Sequence, residues 1–223
     1  MSTCQRWASR VKVRELDGYA VNRAQMKLSA ATRSGGSVIY SDVMHTTVLL
    51  HSVAEARARV LDQVRGLSEL QAASKPDQNC WSISEIVEHL VLAEASGVTK
   101  IWAAAEGVRS GHPVWVGEHT NSGLSIDEVI ARTWKEKEVA PSIAAPHIGG
   151  PLAYWVESLR LSQPLLDALG VFLEGMDLRT IVYPHFLSGP LDAEQRLEFL
   201  RYHMDRHRGQ IERTRIQLGL PAA

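Results

Sequence analysis

Twice in this chain a polar residue is followed three positions later by Glu or Gln, directly ahead of an apolar stripe at helical spacing: Ser82 with Glu85, and Asp192 with Gln195. In this capping box the two side chains satisfy each other's orphan backbone N–H groups, so each pair marks where a helix starts. After Ser82 the stripe runs Ile83, Ile86, Val87, Leu90 and Val91, and continues through Val98 and Ile101. After Asp192 it runs Leu197, Leu200, Met204, His207, Ile211 and Leu218. That second stripe stops at Gly219, placed to take the left-handed C′ position, with Pro221 beyond it.

Two further helices follow from periodicity alone. Over 46–67, Leu49, Val53, Val60, Val64 and Leu67 recur on one face with Ala56 between them, while Arg57, Arg59, Asp62 and Arg65 take the other. The polar run Ser74-Lys75-Pro76-Asp77 stops it. Over 152–174 the core candidates are Leu159, Leu165, Leu166, Leu169 and Phe172, and Pro164 must kink this helix or begin a new one. Residues 109–150 form a long Gly- and Pro-rich connection in which Ser125 and Glu128 cap a short helix through Trp134. No segment alternates as a sheet would. The expected fold is all-α, a four-helix bundle with a long connection between helices two and three. It occupies residues 44–219, behind an extension (1–43) that lacks sustained periodicity.

Charge is balanced at 24 Lys+Arg against 25 Asp+Glu, which leaves no electrostatic footprint for nucleic acid or an anionic membrane. No stretch approaches the roughly 18 apolar residues that span a bilayer. The two cysteines, Cys4 and Cys80, are expected as reduced thiols in a cytoplasmic protein.

The chemistry concentrates on the last helix. His203 and His207 are four residues apart, so both imidazoles leave one face about a turn apart and can share one metal. A single His-x-x-x-His also arises by chance, and a core histidine is more often just hydrogen-bonded. The zinc-protease reading fails, because Met204 stands where that motif needs Glu. His89 lies at the edge of the buried face of the second helix.

The stretch from Trp81 through His89 to Leu90 resembles the second helix of the DinB-like (YfiT-type) four-helix-bundle family. His203-Met-Asp-Arg206-His207-Arg-Gly-Gln210-Ile211 is similar to that family's fourth-helix motif, and the piece from Pro184 to Leu191 to its approach into that helix. The resemblance covers about 46–218, is weak over 109–150 and absent from 1–43. It implies that His89 joins His203 and His207 in binding a divalent cation, typically nickel, zinc or iron. It also implies a metal-dependent enzyme acting on a small molecule, either an S-transferase using a low-molecular-weight thiol such as bacillithiol or mycothiol, or a hydrolase. The alternative is a non-catalytic metal-binding bundle in stress response or protein interaction. A homodimer is a further expectation from the resemblance.

No general base stands beside the triad in sequence, so the catalytic residues are not assigned. Gln210, one turn from His207, is a candidate to hold that imidazole, and Arg206 to orient a substrate anion. Glu85 is already explained by its cap, His185 is set aside as a loop histidine expected to be solvated, and Trp81 reads as a packing anchor. Met44 stands where the first helical pattern begins, and one hypothesis is that translation starts there. Mass spectrometry of the native protein checks this, and peptides from before Met44 overturn it.

Overall fold

A computed structural model describes residues 36–134 and 139–221, with side chains from residue 44 onward. Residues 1–35, most of the expected extension, lie outside the described residues. The described chain is mostly helical: α1 (Gly36–Val64), α2 (Glu69–Ala73), α3 (Ile83–Arg109), α4 (Ile126–Thr133), α5 (Leu152–Leu173) and α6 (Ala193–Gln217). A hairpin of β1 (Val182–His185) and β2 (Gly189–Asp192) precedes α6. No helix among the described residues is long and apolar enough to cross a membrane.

The capping boxes form as the sequence implies. Ser82, Ser125 and Asp192 each accept from the backbone N–H three residues on, and Glu85, Glu128 and Gln195 return the bond. Ser68 and Gln71 make a fourth box at the start of α2, a short helix hidden in a polar stretch. Leu218 ends α6 and Gly219 follows at φ 66°, the left-handed position that suits glycine. Helix α1 starts at Gly36, ahead of the expected 46, and stops at Val64. Pro164 breaks nothing, and α5 runs through it unbroken. Pro151 supplies no side-chain cap to α5. Glu69 of α2 takes over, accepting from the N–H groups of Leu152 and Ala153 at 2.7 and 3.2 Å.

The hairpin, Leu165 and Cys80 also depart from expectation. The hairpin was hidden because each strand has only four residues and Pro184 faces Pro190 across the pair. A two-stranded ribbon tolerates prolines that lack the ladder N–H, but they erase the alternating signature. Gly189 closes the turn at φ 74°, a left-handed conformation that a three-residue hairpin loop demands. Leu165 is exposed, since the buried face of α5 runs Leu152, Trp155, Leu159, Leu166, Leu169, Leu173 and leaves it outside. Cys80 is buried and is not a free thiol, against the expectation of reduced cysteines, and Cys4 lies outside the described residues.

Each long helix packs against two others: α1 on α6 and α5, and α3 on α5 and α6. Their apolar faces form two clusters. One holds Leu49, Val53, Val98, Ile101, Leu166 and Leu200. The other holds Val60, Ile86, Leu90, Leu159, Met204 and Ile211. A polar layer sits where they meet. Arg57 lies between Val53 and Val60 in sequence, Glu94 between Leu90 and Val98, and Gln163 between Leu159 and Leu166. Arg57, expected on the solvent side of α1, is only 3% exposed. Its guanidinium forks onto both carboxylate oxygens of Glu94, itself 1% exposed, and also reaches the Gln163 amide oxygen.

Taking charges out of water is costly, and the pair is tolerated because the fork is complete. Glu94→Ala strands a buried guanidinium and should destabilise the fold by about 3–5 kcal/mol in urea denaturation. The double substitution Arg57→Met with Glu94→Leu should recover most of that loss.

Candidate metal centre

His203 and His207 project from consecutive turns of α6 and meet His89 of α3, all three buried. The Nε2 atom of His203 stands 3.1 Å from Nε2 of His89 and 3.2 Å from Nε2 of His207. The three donor atoms all lie within 4.8 Å of one another, and no carboxylate belongs to the group.

The outer nitrogens explain why the inner ones converge. His89 Nδ1–H donates to the Ala144 carbonyl at 2.7 Å, and a carbonyl can only accept, so the Nε2 of His89 keeps its lone pair. His207 Nδ1–H donates to Oε1 of Gln210 at 2.7 Å, with the same result. His203 is gripped by packing, its ring stacked on Phe199 at 5.7 Å and 21°. Trp81 walls the other side, 4.9 Å from the His89 ring and 6.4 Å from that of His207.

Protons do not resolve this crowding. Burial first, then the charges of neighbouring histidines, hold His203 and His207 well below the ordinary imidazole range. Burial likewise lowers His89 against the raising effect of its bond to Ala144. The neutral rings of His89 and His207 then turn Nε2 lone pairs toward the Nε2 of His203, which can offer at most one N–H between them. A cation serves all three. Nitrogens about 2.0–2.1 Å from a tetrahedral ion stand roughly 3.3 Å apart, close to the 3.1 and 3.2 Å that separate His203 from His89 and from His207. The donor set therefore fits a divalent metal of the imidazole-preferring kind.

The backbone just beyond Ala144 is held by Glu88, which sequence reasoning missed. Its carboxylate, 1% exposed, accepts from the N–H groups of His147, Ile148 and Gly149 at 2.6, 2.7 and 3.1 Å. Trp155 Nε1–H then donates to the Gly149 carbonyl at 3.0 Å. Residues 139–150 are thus strapped across the α3 turn that carries His89. The only signal in sequence was an acid directly before His89 on the stripe of α3.

The other expected residues fall around the cluster. Gln210 touches His207. Arg206 touches none of the histidines and lies over the Trp134 ring at 5.3 Å. Glu85 caps α3 and pairs with Lys75. His185, expected to be solvated, is 8% exposed in β1, where its Nδ1 accepts from the N–H groups of Leu187 and Ser188. It sits against Phe199 and lies outside the cluster. Asn121 donates to the Ser188 and Pro190 carbonyls, and so ties the long connection to the hairpin. Comparisons with family models, with curated proteins and with solved structures return no match to this chain.

Two outcomes follow. An unfolded chain takes up protons on His89, His185, His203 and His207 as pH falls through 6.5, while the folded chain refuses them, His185 down to about 3. This stability is full above about pH 6.5 and is lost below it, by roughly 1 kcal/mol per histidine per pH unit at first. His45, raised by its bond to Glu194, works the other way, one group against four. Chelator-treated protein should therefore unfold at lower urea at pH 5.5 than at 7.5. Separately, Glu88→Gln turns an amide donor toward the strap's N–H groups. Amide exchange at 147–149 should accelerate, and metal affinity should fall about 10–100-fold.

Proposed function

We propose that this chain is a DinB-like four-helix-bundle protein that binds one divalent metal, nickel, zinc or iron, through His89, His203 and His207. The observation that carries the reading is the convergence of three Nε2 atoms, with the outer nitrogens of His89 and His207 already committed to Ala144 and Gln210 and the His203 ring stacked on Phe199. The packing of each long helix on two others supports the bundle.

Three protein ligands leave coordination positions for a small molecule, which favours an enzyme over a closed structural site. A divalent ion there supplies a Lewis acid that lowers the pKa of a bound water or thiol. The chain's own contributions are positional. Ala144 and Gln210 fix two imidazole tautomers, Glu88 fixes the backbone just beyond Ala144, and Trp81 and Phe199 exclude water from the rings. We assign the reaction class to thiol S-transfer ahead of hydrolysis on the family resemblance, with a low-molecular-weight thiol as co-substrate.

Purified protein should carry about one metal per chain by elemental analysis. His89→Ala and His203→Ala should each lose it, and a wild type no richer in metal than these variants removes the site. Metal-replete protein offered a panel of thiols with monochlorobimane should show metal-dependent conjugation. Full metal occupancy with no conjugation or hydrolysis would leave the non-catalytic bundle.

A further inference from the structure

Six arginines lie on α6, and four of them reach an acid or a carbonyl. Arg201 and Arg208 face Asp205, Arg196 bonds the Tyr183 carbonyl, and Arg215 bonds those of Gln63 and Pro221. Arg206 and Arg213 are different. Neither makes a hydrogen bond or ion pair among the described residues, although both are half-buried. They are seven residues apart, so their side chains leave the same flank of the helix.

That flank borders the metal centre. Arg206 precedes His207 directly, and its charge bears on both His203 and His207. Arg213 also bears on His207, and its Nη1 lies back along the helix over Gly209, where an added Cβ would meet it at 3.3 Å. Arg213 is pushed below the usual arginine range by burial first and by Arg206 second. The nearest acid on the helix, Asp205, is already taken by Arg59, Arg201 and Arg208. Glu212 is exposed and forms no salt bridge with either arginine, although its charge offsets part of the cost at Arg213.

Two like charges, partly withdrawn from water and close enough to feel each other, are costly unless an anion joins them. Guanidinium forks fit carboxylate and phosphate oxygens. We propose that the small molecule taken by this centre carries an anionic group, carboxylate or phosphate, held between Arg206 and Arg213 while another part reaches the histidines. The Trp134 ring beneath Arg206 braces that guanidinium by a cation–π contact at 5.3 Å. The inference rests on the proposed metal centre for its purpose, but the anion contact itself needs only the two arginines.

The test is calorimetric titration with malonate and with malonamide, its uncharged diamide of similar shape. It is run on chelator-treated and on nickel-loaded protein. Wild type should bind malonate at least about tenfold tighter than malonamide, in both forms. R206Q/R213Q should lose that preference while keeping its nickel stoichiometry, and R206K/R213K should keep part of it. Equal binding of the two ligands by wild type overturns the proposal. So does a preference that survives in a folded R206Q/R213Q. If nickel does not load, the metal reading falls, and the chelator-treated titration still decides the anion contact.

Discussion

The Arg57–Glu94 ion pair is the constraint around which the helices are arranged. Two ions with almost no contact with water must find each other completely or not be buried at all. Because Arg57 is on α1, Glu94 on α3 and the supporting Gln163 on α5, this requirement fixes the height of three helices at once. An apolar stripe tolerates a slip of one helix along another, whereas a forked guanidinium does not. The register of α1, α3 and α5 is thereby set at one level, and apolar clusters fill the space on either side.

The histidine cluster shares α3 with that layer, and through it His89 inherits the register. His89 is little more than one turn from Glu94 on α3, so a shift of α3 that broke the ion pair would also withdraw His89 from His203. The cluster then depends on a chain of smaller bonds. His89 needs a carbonyl for its outer nitrogen, Ala144 provides it, and Glu88 holds the backbone beyond Ala144. Charged residues are thus used in two ways: paired ions set the scaffold, and a single carboxylate saturated with N–H groups sets the strap.

What was legible in the sequence was local. The capping boxes, the Gly219 stop and the stripes need only neighbours within a turn or two, and they reappear within a few residues. The face shared by His203 and His207 is also a local fact. The burial of Arg57 could not be read, because it depends on an acid 37 residues away. Pro184 and Pro190 masked the hairpin, and Leu165 looked like a core residue only while the rotation of its helix was unknown. His89 was placed beside the pair by resemblance, not by spacing. The Ala144 carbonyl and the strap had no signature, since a backbone oxygen is the same at every residue. Arg206 was singled out for an anion, but Arg213 became visible only when the structure showed which arginines have partners.

The contact between His89 and His203 joins positions 114 residues apart. Closing so long a loop costs entropy that no local turn can offset in advance. The helices can form early from their own caps and stripes, but the cluster assembles only after α3, α6 and the strap have docked. Its three nitrogens are therefore among the last features to exist during folding and among the first lost when the strap lets go. Once formed, anything that bridges them would act as a clasp on half the chain, stabilising the folded state by binding it and not the unfolded one.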